Sequence, residues 1–345
     1  KIVHPKSFEN EITKKIFDYP GYLSAQGIYY EIKYPKVNLI SENNGNVIYS
    51  FLFKLKKGFL SNTSQIIKEP EESLLGGLLV GAKQSLGKEL LEDFRKGGIV
   101  HIVVLSGYNI TIIADSIVRV FSFLPRLYAS SFAGFSIILF AILVGGGATV
   151  ARATIMALLV ILARYIGRVY DVTTALCLAG FLMLVHNPKI LVFDPSFQLS
   201  FLATIGLIYF SPLIEKYFYF VSKKFGVRDI FVSTVSTQIF VTPFILYMMG
   251  TISLVALPVN LLVLLFIPIT MLFGFLTGVF GFLGTIISIP FGYITAMFLS
   301  YIIFIVNKFS SIPFASYTIE NFPLFLVITL YFLFGIFIFK KLSKI

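Results

Sequence analysis

The sequence has one cysteine, three histidines, no tryptophan and few charged residues. Cys177 alone can form neither an intramolecular disulfide nor a zinc site built from cysteines. His4, His101 and His186 lie far apart and form no H-x-H or H-E-x-x-H pattern, so the sequence predicts no metal and no other cofactor. Charged residues make up 13% of the chain, whereas a soluble domain carries about 25%. This deficit excludes an ordinary water-soluble protein.

Apolar residues take the place of the missing charges. They account for 57% of the 345 residues, and the mean hydropathy is +0.88. From residue 99 they form long runs, and a spanning helix needs about 20 apolar residues. We predict an all-α polytopic membrane protein of about nine spans, with a small N-terminal β-containing extracytoplasmic segment. The predicted spans are residues 99–118, 129–147, 149–166, 172–187, 197–212, 229–249, 252–276, 284–306 and 322–340. Residues 213–227 are predicted as an interfacial helix or a loop.

The first 98 residues have a different composition. They contain fourteen of the 28 Lys and Arg residues and eleven of the 17 Asp and Glu residues. Residues 27–34 and 47–55 alternate apolar and polar types, which predicts strands. Residues 42–46 are rich in Asn and Gly and predict a turn between them. Residues 70–96 predict a helix interrupted by glycines.

The net charge of +11 indicates either nucleic acid as a partner or the ordinary topology signals of a membrane protein. On alternate loops between the predicted spans, basic residues number eleven on one side and two on the other. The positive-inside rule then places the C-terminus in the cytoplasm and residues 1–98 outside. The first predicted span contains His101, Ser106, Asn109 and Asp115. If that segment is re-entrant, the placement of residues 1–98 loses this support.

Three polar clusters interrupt the apolar zone, and polar groups at membrane depth indicate function by default. In the first, His101 and Ser106 are five residues apart, about 140° around a helix, so they do not share one helix face. In the second, Arg152 follows three glycines and opposes the dipole of its helix. This favours either an anionic partner or snorkelling to the surface. In the third, Asp194 and Pro195 are typical of a helix start.

We hypothesise that Arg152 and Asp194 pair at an external vestibule, with His101 and Gln198 nearby. Deeper in the chain, Gln238 and Asn260 accompany three prolines. This pattern predicts either broken helices along a polar path or kinks within a packed bundle. The candidate pore or vestibule residues are His101, Ser106, Gly107, Asn109, Arg152, Asp194, Gln198, Ser200 and Asn260.

Four segments that contain these residues carry a family resemblance. They are residues 97–113 with Ser106-Gly107-Tyr108-Asn109, residues 147–168 with Arg152-Ala153-Thr154-Ile155-Met156 and Gly167-Arg168, residues 194–206 with Asp194 and Phe197-Gln198-Leu199-Ser200-Phe201, and residues 253–268 with Asn260-Leu261 and Pro268. In this order they resemble the signatures of the ComEC family of competence proteins. Phe17-Asp18-Tyr19 and Tyr22-Leu23 resemble the end of that family's external OB-like domain.

The resemblance implies three parts. Residues 1–67 would be a partial OB-like β segment, residues 68–98 a helical connector, and residues 99–345 a ComEC-like transmembrane competence domain. The chain departs from the family in two places. Asn109 stands where the signature has a second His, and no motif of the family's C-terminal metallo-β-lactamase-like domain is present.

The function implied by the resemblance is a channel in the cytoplasmic membrane that passes single-stranded DNA during natural transformation. Its partners would be single-stranded DNA and membrane lipid, with other competence proteins, a separate nuclease and an oligomer left open. We therefore expect a channel-type transport protein and not an enzyme. One alternative is an intramembrane hydrolase that uses Ser106 with His101 or His186. Another is a small-solute transporter, which predicts internal repeats that the sequence does not clearly contain.

Overall fold

The computed structural model describes residues 2–10, 12–38, 40–41, 45–82, 86–103, 105–222 and 224–342. The N-terminal segment contains short strands around one helix: β1 (Ile2–Val3), β2 (Phe8–Glu9), β3 (Ile16–Phe17), α1 (Tyr19–Ala25) and β4 (Glu31–Ile32). β1 pairs antiparallel with β4, and β2 with β3. Asp18 caps α1 by accepting the backbone N–H of Gly21 at 2.8 Å. The predicted β content is therefore present, and it lies before residue 33.

The strand predicted over residues 47–55 is wrong, because α2 (Val47–Ser64) is a helix there. Asn46 starts it by accepting the backbone N–H of Ile48 at 2.9 Å. The buried residues Leu52, Phe59 and Thr63 are spaced by seven and four positions, which fits one face of a helix. This helical spacing is a better guide to the structure than the local alternation of apolar and polar residues, which predicted the strand. The turn predicted at residues 42–46 falls partly outside the described residues, which omit 42–44.

Two further helices follow, α3 (Glu71–Val80) and α4 (Lys88–Lys96). They confirm the helical interpretation of residues 70–96. The division into three domains stays a prediction.

The remainder of the described chain is predominantly helical. Its helices are α5 (Val100–Val103), α6 (Gly107–Val120), α7 (Arg126–Val144), α8 (Ala148–Ile166), α9 (Val172–His186), α10 (Ile190–Phe193), α11 (Pro195–Ile205), α12 (Ser211–Glu215), α13 (Val227–Met249), α14 (Ala256–Leu264), α15 (Ile267–Gly281), α16 (Thr285–Ser310) and α17 (Leu324–Leu342). β5 (Thr251–Ser253) pairs antiparallel with β6 (Ser316–Thr318). A π-helical turn, Gly206–Phe210, joins α11 to α12.

Within the described residues, six helices or continuous helical runs are long and apolar enough to cross a membrane, and the pair α14–α15, bent by 45°, makes a seventh if it counts as one span. The protein is thus an all-α polytopic membrane protein, as predicted, whereas the number of nine spans stays a prediction. The predicted first span contains two helices: α5, whose last described residue is Val103, and α6, which Ser106 caps. The described residues of 213–227 form short helical turns and no single helix.

The largest buried cluster surrounds α3. Every residue of α3 from Glu72 to Val80 is buried, and α3 packs against α2, α5, α15 and α16. Gly274 and Gly278 of α15 provide the room for this packing, because side chains of Leu75 and Phe59 occupy the space that their Cβ atoms would take. The small residues of α15 therefore let two earlier helices approach its backbone closely.

The N-terminal segment is attached to three later parts of the chain. Lys15 Nζ donates to the backbone carbonyls of Tyr247, at 3.1 Å, and Phe322, at 2.7 Å. Asn187 Nδ2 donates to the carbonyl of Ala25 at 2.7 Å. These bonds place the segment beside the last turn of α13, the chain just before α17 and the end of α9.

Candidate functional site

Arg152 is the centre of the candidate site, and two other predicted residues meet it. Its Nε donates to the Ser200 hydroxyl at 2.6 Å. On the other side lies Gly107, where an added Cβ would be only 2.5 Å from Arg152 Nη2. Three separate sequence motifs, on α6, α8 and α11, therefore converge on one guanidinium.

Local sequence explains how Arg152 reaches this position. Gly145 and Gly146 have φ values of 102° and 61°, which suit glycine and allow the tight turn between α7 and α8. Arg152 then lies in the early turns of α8 and is half-buried. Since α8 packs against both α6 and α11, the side chain enters the space between these two helices.

The predicted pair of Arg152 and Asp194 is wrong. Asp194 Oδ1 accepts the backbone N–H groups of Ser196, at 2.8 Å, and Phe197, at 3.4 Å. The carboxylate thus caps α11, which confirms the helix start predicted from Asp194 and Pro195. In the part of the chain that the structure describes, no carboxylate lies within ion-pair distance of Arg152, and the ion pair found there joins Arg95 to Glu92.

Gln198 has a local structural contact instead of a place beside Arg152. Its Nε2 donates to the carbonyls of Leu191, at 2.8 Å, and Val192, at 3.1 Å. Both carbonyls belong to the short helix α10, whose last carbonyl groups lack partners within the helix. Asp194 and Gln198 together therefore fix the turn from α10 into α11, and α11 carries Ser200.

Ser106 and Asn109 stabilise the start of α6. Ser106 Oγ accepts the backbone N–H of Asn109 at 3.3 Å. The Asn109 side chain is 1% exposed, and its Nδ2 lies 3.5 Å from the carbonyl of Leu78. Its Oδ1 has no hydrogen-bond partner among the described residues. Asn109 therefore links α6 to α3 directly behind the Gly107 contact.

Two predicted residues lie outside this cluster. His101 is exposed on α5. Asn260 is buried on α14 and donates from Nδ2 to the carbonyl of Ala256 at 2.8 Å, a bond within its own helix. Neither residue has a hydrogen bond to Arg152 among those that the described residues form.

Sequence reasoning missed one contact of Arg152. Met156 Sδ lies 3.5 Å from Arg152 Nη1. Met156 follows Arg152 by four positions, and residues at this spacing are neighbours on a helix surface. The helical period could have identified it, whereas nothing in the sequence relates Arg152 to Ser200, 48 residues away.

Comparison with known proteins identifies one family and one curated relative. A family model described as "Competence protein" matches residues 78–344, a range that includes Gly107, Arg152 and Ser200. ComE operon protein 3 of Bacillus subtilis (strain 168) is 26% identical over 252 residues, which cover 72% of this chain and 31% of that protein. The chain thus spans about a third of the length of this relative. No solved structure matches the chain.

Proposed function

The chain belongs to the competence protein family, and on this premise we propose that it forms a path for single-stranded DNA across the cytoplasmic membrane during natural transformation. The observation that carries the proposal is the Arg152 guanidinium. It lies between three helices of an apolar bundle and has no carboxylate within ion-pair distance among the described residues. A positive group that is half-buried in such a place bears part of the cost of burying charge, and an anion that comes and goes would offset that cost.

Arg152 has the chemistry that a DNA path needs. Each nucleotide brings one phosphate charge, and protein cations offset that charge. Arginine presents a planar fork of N–H donors that suits phosphate oxygens. Because Ser200 holds Nε and Gly107 contributes no side chain, the two terminal nitrogens are oriented by the fold. A phosphate could bind these two nitrogens while the bond from Nε to Ser200 stays in place.

The proposed topology places residues 1–98 outside and the C-terminus in the cytoplasm. The basic-residue count puts three points of the chain on the outer side. They are the end of the predicted span 172–187, the end of the span 229–249 and the start of the span 322–340. The N-terminal segment contacts Asn187, Tyr247 and Phe322, which lie at these three points. These three contacts agree with the charge pattern, whereas the contact of α2 with Phe282 at Gly58 does not, because nine spans put Phe282 on the cytoplasmic side.

We further propose a transport role without catalysis, in which a separate nuclease and other competence proteins act alongside this chain. The contact of Ser106 supports this view. Its hydroxyl accepts a helix-capping hydrogen bond from the backbone of Asn109, and such a cap has a structural explanation that needs no nucleophile.

The experiment is complementation in the host. The gene is deleted, and entry of labelled DNA into the cytoplasm is measured with the wild-type gene, Arg152→Ala or Arg164→Ala. Arg164 is a matched control, because it is an exposed residue in the last turn of the same helix. Loss of a hydrogen bond to a charged group costs about 1.5–3 kcal/mol, so we expect entry with Arg152→Ala to fall about 10- to 100-fold.

Surface binding of DNA should remain normal with Arg152→Ala, and Arg164→Ala should restore full entry. Normal entry in the deletion strain would refute the proposed function. A loss of entry with Arg164→Ala as large as with Arg152→Ala would refute the special role of Arg152.

A further inference from the structure

The first half of α2 presents an unusual surface. Phe51, Phe53 and Leu55 are 64%, 54% and 41% exposed, and Lys54 and Lys57 are exposed among them. Large apolar side chains rarely cluster on a surface that faces water alone. Basic residues interleaved with exposed aromatic and aliphatic side chains are typical of a helix that lies in a membrane interface.

The contacts of α2 place this surface at the end of an apolar helix. Lys56 Nζ donates to the carbonyl of Leu143 at 3.4 Å, one residue before α7 ends. α7 is long and apolar enough to cross a membrane, so its terminal carbonyls lie near the boundary between lipid and water. Lys56 is thus used to cap α7, while Lys54 and Lys57 on the same turns face outward.

Beside these two lysines is an open cleft of about 550 Å³. Its lining consists of Phe51, Lys54, Leu55, Lys57, Gly58, Ser61 and Phe282. The cleft therefore has two ammonium groups and one hydroxyl among apolar walls, and it has no acidic side chain. Within the described part of the chain, neither Lys54 nor Lys57 forms an ion pair. The charge of the cleft is uncompensated by the protein.

We propose that this cleft binds the phosphate headgroup of an anionic phospholipid. Lys54 and Lys57 hold the phosphate, Ser61 donates a further hydrogen bond, and Phe51 and Leu55 contact the first methylenes of the acyl chains. The short spacing of the two lysines suits one phosphate. A nucleic-acid strand would need a longer row of cations along which its backbone could lie.

The bound lipid would anchor α2 to the membrane, and α2 supports the buried helix α3. This inference needs only that the protein lies in a membrane. It is therefore independent of the proposed passage of DNA, and either idea can fail without the other.

The test uses the full chain, purified in detergent and exposed to phosphatidylglycerol, phosphatidylcholine or a single-stranded oligonucleotide. Retained lipid is counted by native mass spectrometry, and oligonucleotide binding by fluorescence anisotropy. The variant is Lys54→Gln with Lys57→Gln. A second pair, Lys54→Arg with Lys57→Arg, keeps the charge. The matched control is Lys6→Gln with Lys14→Gln, which removes two exposed lysines from the N-terminal segment.

A basic residue near an anionic lipid surface contributes about 1 kcal/mol, or about fivefold in affinity. We expect the glutamine pair on α2 to lower phosphatidylglycerol retention about 25-fold and to leave phosphatidylcholine retention unchanged. The arginine pair and the control pair should behave like the wild type. Unchanged phosphatidylglycerol retention in the α2 glutamine pair, or an equal loss in the control pair, overturns the proposal. A loss of oligonucleotide binding with lipid retention intact would assign the cleft to nucleic acid and also overturn it.

Discussion

Replacing Gly107 by alanine tests whether the close approach of α6 to Arg152 matters. The new Cβ would lie 2.5 Å from Arg152 Nη2, and real contacts of a Cβ essentially never fall below 3.0 Å. The guanidinium must therefore move by at least half an ångström. It is the flexible end of a long side chain, so the movement does not require the helices to separate. The displacement strains the hydrogen bond from Nε to Ser200, which is 2.6 Å long.

The free energy of unfolding should change little. Gly107 is the first residue of α6, so alanine gains there at most the value of about 0.5–1 kcal/mol that it gains over glycine inside a helix, and a side chain moved off its preferred rotamer costs about 0.5–1.5 kcal/mol. These two terms offset each other. A hydrogen bond from a charged group contributes about 1.5–3 kcal/mol, and losing about half of this value corresponds to roughly 4- to 12-fold. We therefore expect DNA entry to fall about tenfold in Gly107→Ala, with the unfolding temperature near that of the wild type.

The assay combines DNA entry in the complemented deletion strain with thermal unfolding of the purified protein. Gly134→Ala on α7 is the matched control, because its Cβ would make an ordinary 3.6 Å contact with Leu158. Wild-type entry in Gly107→Ala would refute the idea that the position of the guanidinium matters. An equal loss in Gly134→Ala would show that the effect belongs to any glycine in the bundle.

Two further predictions concern the segment before α5. Burial and the neighbouring Glu69 raise the pKa of Glu72 to about 7. The folded protein therefore binds this proton more tightly than the unfolded chain does. The resulting stabilisation is complete below the unfolded pKa of 4.5 and is lost as the pH rises toward about 7. The unfolding temperature should fall between about pH 5 and pH 8, Glu72→Gln should flatten this decrease, and an unchanged slope in the variant would contradict the assignment. Lys15 donates to two backbone carbonyls and lies 3.5 Å over the ring of Tyr247. Limited proteolysis should therefore release the N-terminal segment about tenfold faster in Lys15→Gln, whereas Lys14→Gln, at an exposed position, should not change the rate. Equal rates for both variants would count against the anchoring role of Lys15.

Much of the helical architecture could be predicted from the sequence. The predicted spans 149–166 and 229–249 differ from α8 and α13 by one or two residues, because length and uninterrupted apolar character define such helices. The prediction failed over residues 47–55, where a few alternating residues favoured a strand. Asn46, which caps α2, and the seven-residue spacing of Leu52 and Phe59 on its buried face were visible in the sequence. Recognising them requires a longer stretch of sequence than the few alternating residues that favoured a strand.

The candidate site was less predictable than the fold. Its members Gly107, Arg152 and Ser200 were all identified by their motifs, whereas the partner of Arg152 was assigned by charge. Charge favoured Asp194, yet a carboxylate at a helix start is already engaged by backbone N–H groups. A neutral hydroxyl one and a half turns further along α11 is the actual partner. Which face of one helix meets another depends on tertiary packing, and the sequence of a single chain contains no local record of it.

The buried helix α3 also has a consequence for how the protein is made. The chain emerges from the ribosome at about 5–20 residues per second, so roughly 10–40 s separate the synthesis of α3 from that of α15 and α16, which cover it. During that interval Glu72 and the apolar residues around it lack their final neighbours. We therefore expect a chaperone or the insertion machinery to shelter α3 while the intervening helices are inserted. Chains that terminate before α15 would leave uncovered the surface of α3 that meets α15 and α16, and we expect membrane proteases to degrade them.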